Sequence, residues 1–201
     1  MMNHRKTRIA FIGTNDHPIP AVKGGAIQTL VTALLDENEK EQLFDFDVYT
    51  RYFPEAKTAS AKYQSSNFIF IKSSLYAKCH LFFVRALRRI THNRVKYSSI
   101  YMRKIIPYLR KNEYDFLIFE TTDKEVVQLP EDIKKKSKVL FHVHADYLND
   151  QVDRFKQVVD NTDCFLGVSD FISKKLCSSR YISENKVCTF QNAIDVQTVS
   201  D

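Results

Sequence analysis

Two histidines with alternating spacing are the residues best suited to chemistry in this chain. His142 and His144 occur in KVLFHVH (138–144), a run that predicts a strand and places both imidazoles on the same side of it. An imidazole can hydrogen-bond a sugar hydroxyl or a diphosphate oxygen, and the alternative for each ring is a structural bond to a backbone carbonyl. Two such rings can also share a zinc ion, but the sequence offers no obvious third ligand, and we predict no metal site.

A second feature is the segment Lys23-Gly24-Gly25, which stands where a helix is predicted to begin. Unpaired backbone N–H groups and the positive end of the helix dipole favour an anion at such a place, and glycine permits close approach. The alternative is a turn that merely connects a strand to a helix. The helix itself is predicted from apolar residues that recur on one face, namely Ile27, Leu30, Val31, Leu34 and Leu35.

Further polar residues follow the predicted strands, where a parallel sheet binds its ligands. Glu120 either accepts bonds from sugar hydroxyls or caps the following helix. Ser169 is predicted to cap a helix over 170–177. Asp146 and Asn192 complete the candidate binding set, and we find no arrangement typical of a serine or cysteine nucleophile.

Short apolar runs separated by helical segments predict the fold. The strands are expected at 9–12, 46–50, 67–71, 114–119, 138–144, 164–168 and 186–190. A polar loop is expected over 54–66, and helices over about 78–92 and 95–111, with Pro107 kinking the second or starting a separate last turn. Because helices separate most of the strands, we predict one α/β domain over 1–201 with a doubly wound, mainly parallel Rossmann-like sheet of about seven strands.

The composition is that of an ordinary globular protein, with 44% hydrophobic and 27% charged residues. No run is apolar enough for a membrane-spanning helix, and the N-terminus does not resemble a secretory signal. The four cysteines show no C-x-x-C spacing, so we expect reduced thiols and a cytoplasmic location; they are Cys79, Cys164, Cys177 and Cys188.

Basic residues are concentrated between positions 85 and 111, where nine Lys and Arg occur without a carboxylate. This patch is either a solvated helical face or a contact with anionic headgroups at the inner face of a membrane. Nucleic acid is disfavoured, because no recognition motif is present and the rest of the chain is slightly acidic. The cations of the candidate membrane patch are Arg85, Arg88, Arg89, Arg94, Lys96, Arg103 and Lys104.

With these residues in hand, the chain resembles the N-terminal domain of a GT-B glycosyltransferase of the retaining glycosyltransferase family 4 type. The segments that carry the resemblance run in order along nearly the whole chain: RIAFIG, PIPAVKGGAIQTLV, FHVHADYLND, CFLGVSDFISKKL and KVCTFQNAID. The resemblance implies a sugar nucleotide as co-substrate, with Gly24 and Gly25 against its diphosphate. It implies that His144 contacts the transferred sugar or the acceptor, and that neither metal nor other cofactor is needed.

The chain also departs from this family. Ala193 stands where glycine is expected, and the sequence contains no E-x7-E pattern, which belongs to the second, donor-binding domain. We therefore expect this chain to act as the acceptor-side half, building a polysaccharide or glycolipid once a donor domain is supplied in cis or as a separate chain. The alternatives are a non-catalytic scaffold or partner subunit of another transferase, and a small nucleotide-binding domain with a flavodoxin-like sheet.

Overall fold

A computed structural model describes residues 5–14, 16–72, 99–152 and 154–192. The strands are β1 (Thr7–Ile12), β2 (Phe44–Arg51), β3 (Ser66–Ile71), β4 (Phe116–Glu120), β5 (Lys138–Val143), β6 (Cys164–Gly167) and β7 (Val187–Thr189). The described helices are α1 (Ala26–Glu41), α2 (Pro54–Ser60), α3 (Ile100–Lys111), α4 (Asp123–Val126), α5 (Glu131–Lys134), α6 (Phe155–Asp160) and α7 (Asp170–Cys177). A 3₁₀ turn (Glu184–Lys186) precedes β7.

The seven strands within the described residues form one parallel sheet in the order β3-β2-β1-β4-β5-β6-β7. The chain first builds outward from β1 to β3, and then crosses back to place β4 on the other side of β1. The prediction of a doubly wound α/β sheet with about seven strands is therefore confirmed. The direction of building reverses between β1 and β4, which makes the carboxyl ends of these two strands the place where a ligand crevice forms.

Apolar side chains cover both faces of the sheet, because strands in a parallel sheet are buried on both sides. In β1, Ile9 and Phe11 pack with Val31 and Leu35 of α1, whereas Ala10 and Ile12 belong to the core on the opposite face. Alternate residues along each central strand thus pack into different cores, one on each face of the sheet. This alternation decides which side of the sheet each polar residue at a strand end can reach.

A buried carboxylate links β2 to its neighbours. Asp47 is 5% exposed and accepts hydrogen bonds from Arg8 Nη2 at 2.7 Å, Tyr114 Oη at 2.5 Å and Asn67 Nδ2 at 2.9 Å. Burial and the bond to Asp47 raise the pKa of Tyr114, so its phenol stays neutral. Charge-assisted bonds of this kind are the strong ones in a protein interior, and here they tie together β1, β2 and β3.

Several local predictions are wrong. The segment from Pro54 to Ser60 is the helix α2, with Pro54 in its first turn, and not a loop. Helix α1 buries Gln28 and Asn38 beside Val31 and Leu35, while the predicted core residue Leu34 is 37% exposed.

Helix α3 also differs from its prediction. It is continuous through Pro107, so there is no separate last turn. On this helix Tyr108 is 48% exposed, and Met102 is buried. The predicted helix over 78–92 lies outside the described residues.

Candidate functional site

The candidate site is built where β4 and β5 end. Glu120 is the last residue of β4 and pairs in register with His142 of β5, and His144 follows two residues later. The alternation along β5 puts both imidazoles on one side, and their ring centroids lie 4.1 Å apart. The prediction that both rings face the same side is therefore confirmed.

A single carboxylate joins the two histidines. Glu120 Oε2 lies 2.8 Å from His144 Nε2 and 3.1 Å from His142 Nδ1, and Glu120 Oε1 lies 3.3 Å from that same His142 nitrogen. Glu120 is 1% exposed, and the side chains of His142 and His144 are 8% and 10% exposed. The three side chains form one nearly water-free hydrogen-bonded unit, which we call the Glu-His-His cluster.

The electrostatics of Glu120 result from two opposing effects. Burial by itself raises the pKa of a carboxyl group, because it disfavours the charged form. In Glu120 the hydrogen bonds from His142 and His144, together with the electrostatic field of these rings, outweigh burial and hold the pKa below its ordinary value. Glu120 is therefore a carboxylate at neutral pH, although it is only 1% exposed.

The carboxylate of Glu120 is bonded to both imidazoles, and its assignment to binding sugar hydroxyls stays a prediction. Glu120 does not cap the next helix, because the N-cap of α4 is Thr122. The predicted structural alternative for the histidines, a bond to a backbone carbonyl, is replaced by the bond to Glu120.

The loop between β1 and α1 forms the neighbouring part of the same edge. Gly24 and Gly25 are exposed, with φ angles of +72° and +101°, and Gly25 is the N-cap of α1. A Cβ atom at Gly25 would collide with the carboxamide oxygen of Gln28, whereas one at Gly24 would meet nothing within 4 Å. Gln28 is buried and donates from Nε2 to Thr14 Oγ1 at 2.8 Å, which fixes the start of α1 to the end of β1.

Sequence reasoning missed Gln28. The only available signal was a polar residue within the predicted apolar stripe of the helix, next to Ile27. It also missed Phe190, whose ring lies 5.6 Å from that of His142 at an angle of 71° and is 49% exposed. Phe190 follows β7, so its approach to β5 depends on the order of strands and not on nearby sequence.

The other predicted binding residues lie in different surroundings. Lys23 Nζ is 2.7 Å from Glu55 Oε1 in an exposed ion pair, and Asp146 Oδ2 is 3.7 Å from Lys175 Nζ. The Ser169 hydroxyl accepts a bond from the backbone N–H of Ile172 at 3.3 Å and caps α7, as predicted. Asn192 is exposed. Within the part of the chain that the structure describes, none of these four makes a hydrogen bond or ion pair with the Glu-His-His cluster, and their assignment to ligand binding stays a prediction.

The Glu-His-His cluster also brings together possible metal ligands. One donor atom from each residue lies within 4.8 Å of the other two, so Glu120 supplies the third ligand that the sequence did not reveal. Two imidazoles and one carboxylate can hold a divalent ion and leave a position open. In this arrangement, however, the donor nitrogens point at the carboxylate and already make hydrogen bonds with it.

Two of the seven predicted membrane-patch cations lie among the described residues. Arg103 is exposed on α3, and Lys104 Nζ donates to the backbone carbonyl of Lys72 at 2.6 Å. The other five, Arg85, Arg88, Arg89, Arg94 and Lys96, lie outside the described residues. Within the described ranges, no helix is long and apolar enough to cross a membrane.

The cysteines that the structure describes are free thiols, namely Cys164, Cys177 and Cys188. Burial, together with contact with the thiol of Cys188, raises the pKa of Cys164 to about 11, so Cys164 is a neutral thiol at physiological pH. Cys79 lies outside the described residues.

No protein-family model matches the chain, and no curated protein matches it in sequence. Solved structures do match in fold. A glycosyltransferase from Rickettsia africae ESF-5 is similar with a TM-score of 0.59 and 14% identity, over 98% of this chain and 46% of that one. An alpha-glucosyltransferase in complex with UDP and a 13-mer DNA containing a central A:G mismatch gives a TM-score of 0.45 and 15% identity, over 96% and 43%.

The fold is thus similar to that of about half of the Rickettsia africae ESF-5 glycosyltransferase. The present chain spans less than half the length of both matched proteins. At such low identity the likeness concerns the arrangement of helices and strands, and the chemistry has to be argued from the site.

Proposed function

We propose that this chain is the acceptor-side, N-terminal domain of a GT-B glycosyltransferase of the retaining family 4 type. In this proposal a second domain holds most of a sugar nucleotide, and the enzyme transfers the sugar to a polysaccharide or lipid-linked acceptor. The observation that carries the proposal is the placement of the Glu-His-His cluster and the exposed diglycine. The cluster lies at the carboxyl ends of β4 and β5, and the diglycine lies in the loop after β1. The sheet reverses its direction of building between β1 and β4.

The diglycine suits a diphosphate. The backbone N–H groups at the start of α1, a helix of 16 residues, lack partners within the helix and are accessible beside two residues without side chains. When the bond between the sugar C1 and the diphosphate oxygen breaks, negative charge develops on the leaving group. Helix N-termini and nearby cations stabilise that charge. Lys23 is available for this role, because exposed ion pairs such as that with Glu55 are weak and readily exchanged.

His144 suits the reacting end of the sugar. It is the more exposed of the two imidazoles, and it lies just beyond the carboxyl end of β5, where ligands approach a parallel sheet. In our proposal it hydrogen-bonds the transferred sugar or the acceptor. Its rigid attachment to Glu120 keeps the ring in one orientation before substrate arrives, which is the condition for effective positioning.

The decisive experiment measures sugar transfer with the chain combined with a donor domain, supplied by fusion or as a separate polypeptide. UDP-, GDP- and dTDP-sugars are tested as donors, with anionic-lipid vesicles or oligosaccharides as acceptors. We expect His144→Ala to lower kcat by about 10²-fold or more. Glu184→Ala, an exposed site before β7, serves as the control.

Full activity of the His144→Ala enzyme would refute the role of His144. A complex that binds no sugar nucleotide, and in which this chain only stabilises another transferase, would refute the proposal in favour of a scaffold. Membrane association is a separate part of the proposal. We expect binding to anionic vesicles that weakens as salt rises, because the attraction of exposed cations is screened.

A further inference from the structure

We propose that Glu120 is a positioning residue that fixes His142 and His144 in complementary tautomers, so that Nδ1 of His144 is the ring nitrogen offered to a ligand. His142 then carries its proton on Nδ1, and His144 carries its proton on Nε2. The inference deepens the proposed function, on which it rests for the identity of the ligand, but the tautomers themselves are independent of it.

The protons follow from the chemistry of the carboxylate. An ionised carboxylate only accepts hydrogen bonds, so each nitrogen that faces it at bonding distance must carry a hydrogen. These nitrogens are Nδ1 of His142 and Nε2 of His144. Both oxygens of the Glu120 carboxyl group face these nitrogens, at distances of 2.8 to 3.3 Å.

The remaining nitrogen of His142 is enclosed. Its Nε2 atom is buried and has no hydrogen-bond partner in the part of the chain that the structure describes. A second proton there would create a buried N–H group without an acceptor, which is rarely tolerated. His142 is therefore a neutral ring with its proton on Nδ1, and it serves as the second anchor of Glu120.

The remaining nitrogen of His144 is different. Within the described residues, His144 makes its hydrogen bond through Nε2 only, and its side chain is 10% exposed. In our proposal Nδ1 is the ring nitrogen that faces the ligand. In the assigned tautomer it accepts a hydrogen bond from a hydroxyl group, and with a second proton it donates one to a phosphate oxygen.

The test uses the 201-residue chain labelled with ¹⁵N-histidine. Long-range ¹H–¹⁵N correlation spectra at neutral pH report which ring nitrogen is protonated, and the signals are assigned with His142→Asn and His144→Gln. We expect a proton on Nδ1 of His142 and on Nε2 of His144. A proton on Nδ1 alone of His144, or on Nε2 alone of His142, would overturn the inference.

Glu120→Gln tests the cause of the tautomers. A carboxamide can accept a hydrogen bond from one ring only, through its oxygen. Its NH₂ group donates, so the ring that faces it must present a nitrogen without a hydrogen. We therefore expect one of the two rings to change its tautomer. Glu125→Gln is the matched control. Glu125 is a neighbouring buried acid on α4 that has a raised pKa, and the described hydrogen bonds of both imidazoles go to Glu120 instead. Unchanged tautomers in Glu120→Gln would overturn the inference.

A metal ion would give a different result. Bound zinc would remove the hydrogens from the nitrogens that face Glu120, and elemental analysis would find about one equivalent of metal in the chain as purified. That outcome would overturn the inference, because the three residues would then be ligands and not a hydrogen-bonded relay.

Activity separates this inference from the proposed function. If the enzyme supplied with a donor domain transfers sugar, we expect Glu120→Gln to lower kcat by about 10²-fold or more while the KM for the donor changes little. An unchanged kcat would refute the positioning role. If no sugar is transferred with any donor, the proposed function fails, and the NMR spectra still decide the tautomers.

Discussion

Replacing Gly25 by alanine tests whether the start of α1 depends on a bare backbone. At Gly25 the φ angle of +101° is one that an L-residue seldom adopts, and the added Cβ would displace the carboxamide of Gln28. Gln28 would then lose its bond to Thr14, so the start of the helix would separate from the end of β1. Gly24→Ala is the matched control, because Gly24 also has a positive φ angle, of +72°, but an added Cβ atom there would have no neighbour within 4 Å.

The magnitudes can be worked out from these contacts. A left-handed backbone at a residue with a Cβ costs about 1–2 kcal/mol, which is the whole cost expected for Gly24→Ala. Gly25→Ala adds the lost Gln28–Thr14 bond, about 0.5–1.5 kcal/mol, for a total of about 1.5–3.5 kcal/mol. For a chain of this length each kcal/mol lowers the Tm by about 2–4 °C, so the two variants should be distinguishable.

The assay is urea unfolding followed by circular dichroism, carried out as a double-mutant cycle. Gln28→Ala removes both the collision and the hydrogen bond, so in that background Gly25→Ala should cost no more than Gly24→Ala does. If Gly25→Ala has the same cost with and without Gln28, the contact assigned to Gln28 is wrong. Loss of sugar-nucleotide binding in Gly25→Ala, with binding retained in Gly24→Ala, would show that this helix start must be intact for the donor to bind.

Three further predictions concern charge and capping. The pKa of Glu120 is lower in the folded chain than in the unfolded one, so the stabilisation that its charged form provides is complete above about pH 4.3 and is lost as the pH falls through the folded-state value. The free energy of unfolding of Glu120→Gln should therefore fall less steeply over that acidic range than that of the unsubstituted chain. Equal slopes for the two proteins would contradict the paired carboxylate. Ser169→Ala should destabilise the chain by about 0.5–2 kcal/mol in urea while Ser169→Asp does not, and a larger effect on ligand binding than on stability would assign Ser169 a second role. Asp47→Ala should cost about 3–5 kcal/mol, because it leaves Arg8 and Tyr114 without their buried acceptor, and a cost below about 1 kcal/mol would contradict that.

Much of the fold was accessible from sequence because apolar runs and their separation follow directly from burial on both faces of a parallel sheet. The strands Thr7–Ile12 and Cys164–Gly167 fall close to their predicted positions. Helix α2 was missed since only Ala56 in Pro54–Ser60 is buried, so the segment has no apolar periodicity. The buried stripe of α1 was misplaced because Gln28 and Asn38 are buried through hydrogen bonds, which hydrophobic spacing does not reveal.

Only part of the candidate site could be predicted from the sequence. The spacing of His142 and His144 was enough to place both rings on one side of β5. The role of Glu120 was not accessible, because the contact depends on the register that sets Glu120 beside His142, and these residues are 22 positions apart. In a sequence, a carboxylate at a strand end indicates a substrate ligand, because the residues beside it on the adjacent strand are not yet known.

The register between β4 and β5 makes the Glu-His-His cluster vulnerable to insertions and deletions. One residue gained or lost before His142 would turn both imidazoles to the opposite face of the sheet, while apolar strand residues could still fill the core. Such a protein would keep its architecture and lose its polar cluster in one genetic event. Homologues that share this fold but not its chemistry can therefore arise by a change in the length of a single strand, without any substitution of Glu120, His142 or His144.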